Sequence, residues 1–315
     1  MRACLFVCLA SAWIAGTARA VTLAPGDILA ANGASVIKVD PTTGDQVVVT
    51  TGDHLSRALG IAYDATRGIL YVADTNSDGI YRVDPSDGTQ TPVASGLGIP
   101  RAILVDADGT LLVTEGGTLY RVDPSDGSKT PIGNQSGGVS ELVMKPDGDV
   151  LVASAGSFGP DYGNDGAIVT FDLPGGASST LVGGAPFVDP QGLALWSNYI
   201  VVADAQAGSL YTLDPNAMMP TPNPLLASDA VSLAVGPDDC LYWLSQSIGT
   251  ISRLCPNVPS PSIVASDDLL PNAERIAIVP EPGALADDLV LLAPLAIGAR
   301  RRARARRSSF APRFL

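Results

Sequence analysis

The sequence predicts an all-β fold assembled from repeats of one short supersecondary unit. Six β-type runs each end in an acidic residue and a proline, or a close variant: SVIKVDP, GIYRVDP, TLYRVDP, AIVTFDLP, SLYTLDP and TISRLCP. Their marker residues lie 39 to 49 positions apart and are Asp40, Asp84, Asp123, Asp172, Asp214 and Cys255. Periods of this length are typical of four-stranded blades, so we predict a β-propeller.

Within one repeat, four short β-type runs alternate with turn residues. In the second repeat they are LGIAYD (59–64), ILYVAD (69–74), GIYRVD (79–84) and TPVAS (91–95). Such β-branched and aromatic runs between Gly-rich and Asp-rich turns are typical of strands. In the DPSDG turn, Asp can accept backbone hydrogen bonds, Pro has a preset φ and Gly tolerates a left-handed conformation. We therefore predict antiparallel four-stranded blades.

The strand count indicates how the ring closes. Six innermost strands are predicted, and they begin at Gly60, Arg101, Ser140, Gly192, Ser232 and Arg275. The sixth, ERIAIV (274–279), is followed by no further strands, while three strands at 27–31, 35–40 and 45–51 have no innermost partner. One blade shared by both chain ends leaves no unpaired closing edge. The sequence therefore predicts six blades.

Residues 1–20 have the composition of a secretory signal. Arg2 is followed by an apolar segment from Ala3 to about Gly16 and by the small-residue site Ala18-Arg19-Ala20, the usual order of such a signal. Cleavage there would make Val21 the first residue of a propeller domain spanning 21–279. The sequence thus predicts export across the inner membrane.

Export would leave two cysteines, Cys240 and Cys255. Alignment of this repeat with the second places them at opposite ends of one hairpin, where Tyr242 would face Arg253. A disulfide between them is consistent with an oxidising compartment. Two reduced, half-buried thiols are the alternative that the sequence leaves open.

The charge of the predicted domain restricts its partners. Residues 21–279 contain 10 Lys and Arg against 29 Asp and Glu. A strongly acidic surface disfavours nucleic acid and anionic membrane surfaces as partners. Solubility is a sufficient reason for this charge.

The tail, residues 280–315, has three parts: Pro280-Glu281-Pro282, an apolar stretch, and an arginine block that begins at Arg300, Arg301 and Arg302. This order resembles the PEP-CTERM sorting signal. The resemblance implies an exosortase-type sorting enzyme as partner and a tail held in the membrane before processing, with the propeller at the cell surface or outside the cell. The apolar stretch 289–299 would span only about 16 Å as a helix, against a hydrocarbon core of about 30 Å. A disordered basic tail is the alternative.

Two segments resemble the NHL-repeat and the senescence-marker/gluconolactonase-like propellers: GIAYD…LYVADT at 60–75 and GLALW…IVVADA at 192–205. The resemblance covers nearly all of 27–279 and implies a six-bladed ring. In the lactonases of this group, acidic and Asn side chains at the starts of the inner strands hold a divalent metal in the central channel. The matching register in this chain is Leu59, Arg101, Ser140, Gln191, Val231 and Glu274.

This register contains one carboxylate and one arginine, whereas a hard divalent cation prefers several oxygen ligands. We therefore expect Arg101, Ser140, Gln191 and Glu274 to contact a ligand at the channel mouth and to hold no catalytic metal. A lactonase-like enzyme with a degenerate channel site remains the alternative.

Other candidate sites are weaker. His54 is the only histidine, and no motif pairs it with a nucleophile. Asp74, Asn76 and Asp78 match the opening of a calcium-binding loop, but the twelfth position is Pro85 where a bidentate Glu would be expected. Turn chemistry explains the same residues, so Ca²⁺ is a possible cofactor and no other cofactor is predicted.

Together these features predict an exported, surface-sorted propeller that acts as a non-catalytic binding or matrix-associated module. Its ligand would be an extracellular polysaccharide or protein. The alternatives are a lactonase-like hydrolase and a calcium-stabilised adhesion module.

Overall fold

The computed structural model describes residues 20–135, 137–155, 165–173, 175–215, 223–266 and 268–281. Their strands form six four-stranded antiparallel sheets. In chain order the strands are β1 (Ile28–Asn32), β2 (Ser35–Val39), β3 (Gln46–Thr51), β4 (Ala58–Asp64), β5 (Ile69–Asp74), β6 (Gly79–Val83), β7 (Gln90–Ser95), β8 (Pro100–Val105), β9 (Leu111–Glu115), β10 (Thr118–Val122), β11 (Lys129–Asn134), β12 (Gly138–Met144), β13 (Val150–Ala155), β14 (Ala167–Phe171), β15 (Ser178–Gly183), β16 (Pro190–Trp196), β17 (Tyr199–Asp204), β18 (Ser209–Leu213), β19 (Asn223–Ala227), β20 (Ala230–Val235), β21 (Leu241–Ser245), β22 (Thr250–Leu254), β23 (Ser262–Ser266) and β24 (Ala273–Ile278).

The ring closes through a blade shared by the two ends of the chain. Blade 1 has the strand order β24-β1-β2-β3, and blades 2 to 6 each use four consecutive strands, from β4–β7 to β20–β23. In blade 1, Ile28 pairs with Ile278 and Ala31 with Arg275. The fold class, the blade count and the shared closing blade predicted from the sequence are confirmed.

The apolar core consists of six layers, each lying between two neighbouring blades. Strand β5 shows how one strand serves two layers. Val72 packs towards blade 1, whereas Tyr71 and Ala73 on either side of it pack towards blade 3. Successive strand residues point to opposite faces, so the middle strands of a blade must be apolar on both faces. This explains why ILYVAD is hydrophobic without alternation.

The repeated DPSDG turns form as their chemistry predicts. The Asp84 carboxylate accepts hydrogen bonds from the Ser86 amide (2.9 Å) and the Ser86 hydroxyl (2.7 Å). The Gly88 amide donates to the Asp84 carbonyl (2.8 Å), and Gly88 has a φ of +75°. A left-handed φ of this kind suits glycine, which is why glycine ends each of these turns.

The segment before β1 is fastened to the propeller. Val21 is buried, and its amide donates to the Pro85 carbonyl (3.0 Å). The buried Asp27 carboxylate accepts from the Ala24 amide (2.6 Å) and pairs with Lys38 at 2.7 Å. The segment between Val21 and β1 is therefore part of the fold.

The hairpin β21–β22 brings the two retained cysteines together. Tyr242 faces Arg253, the pairing expected from the repeat alignment. The sulfurs of Cys240 and Cys255 are bonded, and their Cα atoms are 4.1 Å apart, just below the usual lower limit of about 4.4 Å.

The predicted signal, apart from Ala20, and the tail from Pro282 onward lie outside the described residues. The sorting residues Arg300, Arg301 and Arg302 are therefore not located, whereas Pro280 and Glu281 directly follow the closing strand. Within the described ranges, no helix combines the length and apolar character that a bilayer span requires.

Candidate functional site

A β-bulge marks the start of the inner strand in every blade. The inner strands of all six blades run in the same direction, so they start at the same end of the central channel. The loops that enter the inner strands also lie there, and we call this end the mouth. In five blades one residue is left out of the pairing with the second strand, and in blade 3 the bulge covers Arg101 and Ala102. The bulged residues are Leu59, Arg101, Ser140, Gln191, Val231 and Glu274.

These are the six positions that the sequence register assigned to the channel mouth. A bulge re-aims its side chain and leaves backbone groups outside the ladder. The regular strand below each bulge packs in the core; among the bulged residues, Val231 also packs there and Ser140 is buried. Six chemically different residues thus occupy equivalent bulge positions, one in each blade.

A cavity of about 180 Å³ lies at the mouth. It is lined by Arg57, Leu59, Arg101, Gln191, Gln246, Glu274 and Arg275. Of the four predicted ligand-binding residues, Arg101, Gln191 and Glu274 meet here. Ser140 does not line the cavity: it is buried, and its backbone carbonyl is the group it contributes to the channel.

Arg275 closes the channel below this cavity. It is 7% exposed, and its guanidinium donates to three carbonyls, all from bulged residues: Val231 (3.2 Å), Glu274 (2.7 Å) and Ser140 (3.0 Å). These carbonyls belong to blades 6, 1 and 4, so one side chain joins three blades. Arginine suits this role because its planar group carries five donors in a fixed geometry.

Glu141 lies against the Arg275 guanidinium. Arg275 Nε is buried without a hydrogen-bond partner, and Glu141 Oε2 is 3.6 Å from it. Burial raises the pKa of Glu141 to about 7, while Arg275, the Leu142 amide and the Ser232 hydroxyl act in the opposite direction. Burial outweighs them because desolvation penalises the charged carboxylate strongly. Glu141 therefore loses its proton near neutral pH, and the Arg275–Glu141 pair then changes from a net positive charge to neutral.

Arg57 and Glu274 form an ion pair at the rim of the cavity. Arg57 Nε and Nη2 donate to the two carboxylate oxygens at 3.1 and 3.2 Å. This two-point geometry is the strong form of a carboxylate–guanidinium contact. The carboxylate that could have served a metal in this ring is thus held by an arginine.

Arg101 differs from the other two arginines. It is half-buried, and no hydrogen bond or ion pair of its side chain is found within the described part of the chain. Burial lowers the pKa of Arg101, and the charges of Arg275 and Arg57 lower it further, against weaker opposing effects of Asp189 and Glu274. Its donors are available to a ligand in the cavity.

Two buried aspartates position the loops that carry the cavity residues. Asp74 accepts from the amides of Ser56 (2.7 Å) and Arg57 (2.6 Å). Asp204 accepts in the same way from the amides of Val188 (2.7 Å) and Asp189 (3.1 Å). Both are fully buried at the ends of second strands. The aspartate of each VAD motif therefore sets the path of a mouth loop.

These contacts also occupy part of the predicted calcium loop. Asp74 Oδ1 accepts from the amides of Asn76 (3.1 Å) and Ser77 (2.9 Å). Asn76 and Asp78 are exposed, and Asp78 has a φ of +52°. The turn is built by hydrogen bonds to Asp74, and calcium binding by these residues stays a prediction.

His54 lies beside the mouth and outside the residues that line the cavity. Its ring stacks on Tyr81 with a centroid distance of 5.1 Å, and its Nε2 is 3.9 Å from an Asp53 oxygen. No nucleophile is among the lining residues. The contact of the His54 ring in this structure is thus the stacking on Tyr81 and no contact with the cavity.

Sequence reasoning missed Arg57, Glu141, Gln246 and Arg275 as channel residues. Arg275 stood at a predicted strand start, but only the bulge at Glu274 shows that both residues meet the channel. Arg57 and Gln246 come from a loop and from the 3₁₀ helix Gln246–Ile248, whose paths no residue period predicts. The available signal was a charged residue directly after two of the bulge positions, Glu141 after Ser140 and Arg275 after Glu274.

No known protein family matches this chain, and no curated protein is similar to it in sequence. Among solved structures, it is similar to a chain of the crystal structure of a nidogen/laminin complex. The TM-score is 0.70 at 15% identity, and the match covers 80% of this chain and 98% of that chain. In all, 1240 chains of solved structures are similar to it. Similarity this broad and at this identity shows the propeller fold alone.

Proposed function

We propose that this protein is an exported β-propeller that binds an extracellular ligand at the channel mouth without chemically changing it. The observation that carries the proposal is the construction of the mouth. Four bulged residues, Leu59, Arg101, Gln191 and Glu274, line a cavity whose floor is the Arg275 guanidinium, which three carbonyls hold in place. Donors held in place before the ligand arrives are favourable for binding, because little ordering is then required.

The chemistry of the lining favours binding over catalysis. Among the lining residues Arg57 and Glu274 neutralise each other, Gln191 and Gln246 are amides, and Arg275 is held by the backbone. A general base needs a poised titratable group within reach of its substrate. The structurally similar chain comes from a protein–protein complex, which is compatible with a binding role for this architecture.

Three features support export and surface sorting. The first twenty residues have the order of a secretory signal, the tail resembles a PEP-CTERM signal, and Cys240 is bonded to Cys255. Disulfides persist mainly in oxidising compartments. In this proposal an exosortase-type enzyme processes the tail near Pro280 to Pro282 and leaves the propeller at or beyond the cell surface.

Blocking the mouth tests the binding site. Gln246 is an exposed lining residue, so Gln246→Trp should fill the entrance with little effect on the core. Ala107 is exposed in the turn between β8 and β9, at the opposite end of the channel, and Ala107→Trp is the matched control. Binding of the full chain to dextran, alginate, dextran sulfate and purified matrix proteins is measured by surface plasmon resonance.

We expect at least one of these partners to bind the wild type and the Ala107→Trp variant, and to lose most of its affinity for Gln246→Trp. Equal binding by all three proteins would place the ligand elsewhere and contradict the proposal. Failure of every partner to bind the wild type would also count against it.

The runner-up is a lactonase-like enzyme, which the resemblance at 60–75 and 192–205 favours. A metal in the mouth would have to separate Glu274 from Arg57. Lactone hydrolysis that depends on an added divalent ion and is lost in Glu274→Ala would establish that alternative.

A further inference from the structure

The charges around the cavity leave one arginine without a contacting counter-ion. Arg57 is paired with Glu274 at 3.1 Å, and Arg275 faces Glu141 at 3.6 Å. No ion pair within 4.0 Å involves Arg101 in the described ranges, and the Asp189 carboxylate accepts a hydrogen bond from Gln191 Nε2 (2.8 Å). Of the three arginines that line the cavity, Arg101 is therefore the one that no carboxylate of the described residues contacts within 4.0 Å.

The position of Arg101 makes its positive charge costly. Its side chain is half-buried, and the charges of Arg275 and Arg57 act against it. A partly desolvated cation without a hydrogen-bonded partner is unfavourable. A bound anion would supply acceptors for its donors and offset the repulsion.

From this geometry we infer that the mouth recognises a ligand through one carboxylate, which Arg101 binds from the cavity above Arg275. The inference rests on the proposed function and specifies the chemistry of the ligand for the same site. A carboxylate matches the planar fork of arginine with two parallel hydrogen bonds.

The surrounding acidic groups disfavour a phosphate or sulfate. Glu274 and Asp189 both lie close enough to Arg101 to influence its charge, and the other two arginines are committed to their own partners. A second negative charge on the ligand would meet these carboxylates without a free cation. The site is thus suited to a monovalent anion.

The rest of the lining indicates a polar ligand larger than an ion. The cavity of about 180 Å³ far exceeds the roughly 10–15 Å³ that one water needs. Gln246 has no side-chain hydrogen bond in the described part of the chain, and Gln191 Oε1 is not engaged by Asp189. Amides both donate and accept, as hydroxyl groups on the ligand would require.

A pair of isosteric ligands tests the inference. The full chain is titrated calorimetrically at constant ionic strength with D-glucuronate and with D-glucuronamide, which differ in the carboxylate alone. We expect glucuronate to bind about tenfold more tightly, the effect of one charge-assisted contact. Arg101→Gln should abolish this preference, whereas Arg82→Gln, at an exposed position on β6, should keep it.

Several results would overturn the inference. They are equal binding of the two ligands by the wild type, no binding of either, an unchanged preference in Arg101→Gln, and tighter binding of inorganic phosphate or sulfate. If Arg101→Gln does not fold, Arg101→Lys keeps the charge without the fork and should retain only part of the preference. Loss of polymer binding in Gln246→Trp without any carboxylate preference would refute this inference and leave the proposed function intact.

Discussion

Arg275 and Ser140 lie on opposite blades of the ring, and the Arg275 guanidinium donates to the Ser140 carbonyl across the channel at 3.0 Å. The same side chain binds the carbonyls of Val231 and Glu274. Bulges free these carbonyls from the strand ladders, and buried carbonyls need partners. One arginine thus satisfies three carbonyls of the channel wall and forms the floor of the mouth.

Replacing Arg275 should destabilise the whole propeller. Arg275→Met removes the partner of Glu141 and of three carbonyls, and breaking a buried ion pair from one side costs about 3–5 kcal/mol. The free energy of unfolding in urea measures the loss. Arg82→Met, at an exposed position, is the control and should change it by less than about 0.5 kcal/mol. A loss below about 1 kcal/mol for Arg275→Met would show that the contacts across the channel contribute little.

Glu141 should make stability depend on pH near neutrality. Its pKa is about 7 in the folded protein, where burial dominates and Arg275 and the Ser232 hydroxyl oppose it, and about 4.3 in an unfolded chain. The unfolded chain loses this proton first, so the contribution of Glu141 declines between about pH 4.5 and 7, by a few kcal/mol in total. Above pH 7 the decline is complete.

Glu141→Gln cannot titrate, so its stability relative to the wild type should increase from pH 5 to pH 8. Urea unfolding across this range measures the difference. Glu115→Gln, in a surface ion pair with Lys129, is the control and should show little change with pH. A constant difference between Glu141→Gln and the wild type would mean that Glu141 is already ionised at pH 5.

Asp74 should stabilise the mouth loop through hydrogen bonds, with or without calcium. Its oxygens accept from the amides of Ser56, Arg57, Asn76 and Ser77. Asp74→Asn places an amide donor among these donors, and we expect a loss of about 2–4 kcal/mol in the free energy of unfolding. Asp78→Asn is the matched control, because Asn tolerates the positive φ at that exposed position.

Thermal unfolding of both variants and the wild type with Ca²⁺ and with a chelator separates the two interpretations of this loop. We expect the melting temperature of the wild type to be the same in both conditions. A marked increase with Ca²⁺ that disappears in Asp78→Asn would establish the calcium site.

The bond between Cys240 and Cys255 should contribute to stability. It closes a loop with a sequence separation of 15, for which loop-closure entropy gives about 3 kcal/mol. The double variant Cys240→Ser/Cys255→Ser should therefore unfold at lower urea than the oxidised wild type. Reduced wild type is the control and should match the variant. Two titratable thiols in the exported, denatured protein would rule out the bond.

The tail should determine location and leave folding unchanged. Closing strand β24 ends at Ile278, so a chain that stops at Glu281 keeps all six blades. In a host with the cognate sorting enzyme we expect this shortened chain to be released as a folded protein. The full chain should be held in the membrane and then cut near Pro282. A mature extracellular product that still carries Arg300 to Arg302 would contradict sorting by this tail.

The repeat period was enough to predict the blades because every repeat carries the same turn chemistry and the same apolar strands. It also placed Leu59, Arg101, Gln191 and Glu274 at the mouth, since equivalent positions in a repeat occupy equivalent places in a ring. The contacts of Arg275 could not be predicted this way. They join blades 1, 4 and 6, and a period describes each blade separately. The pairing of Arg57 with Glu274 likewise depends on ring closure between residues 217 positions apart.

A crystal structure of the full chain grown with D-glucuronate would show whether the mouth above Arg275 is a ligand site. We expect the ligand in the cavity, with its carboxylate within hydrogen-bond distance of the Arg101 guanidinium and Arg275 still bound to the carbonyls of Ser140 and Val231. A vacant mouth with the ligand bound elsewhere, or a divalent metal at Glu274 with Arg275 displaced from the channel, would contradict it.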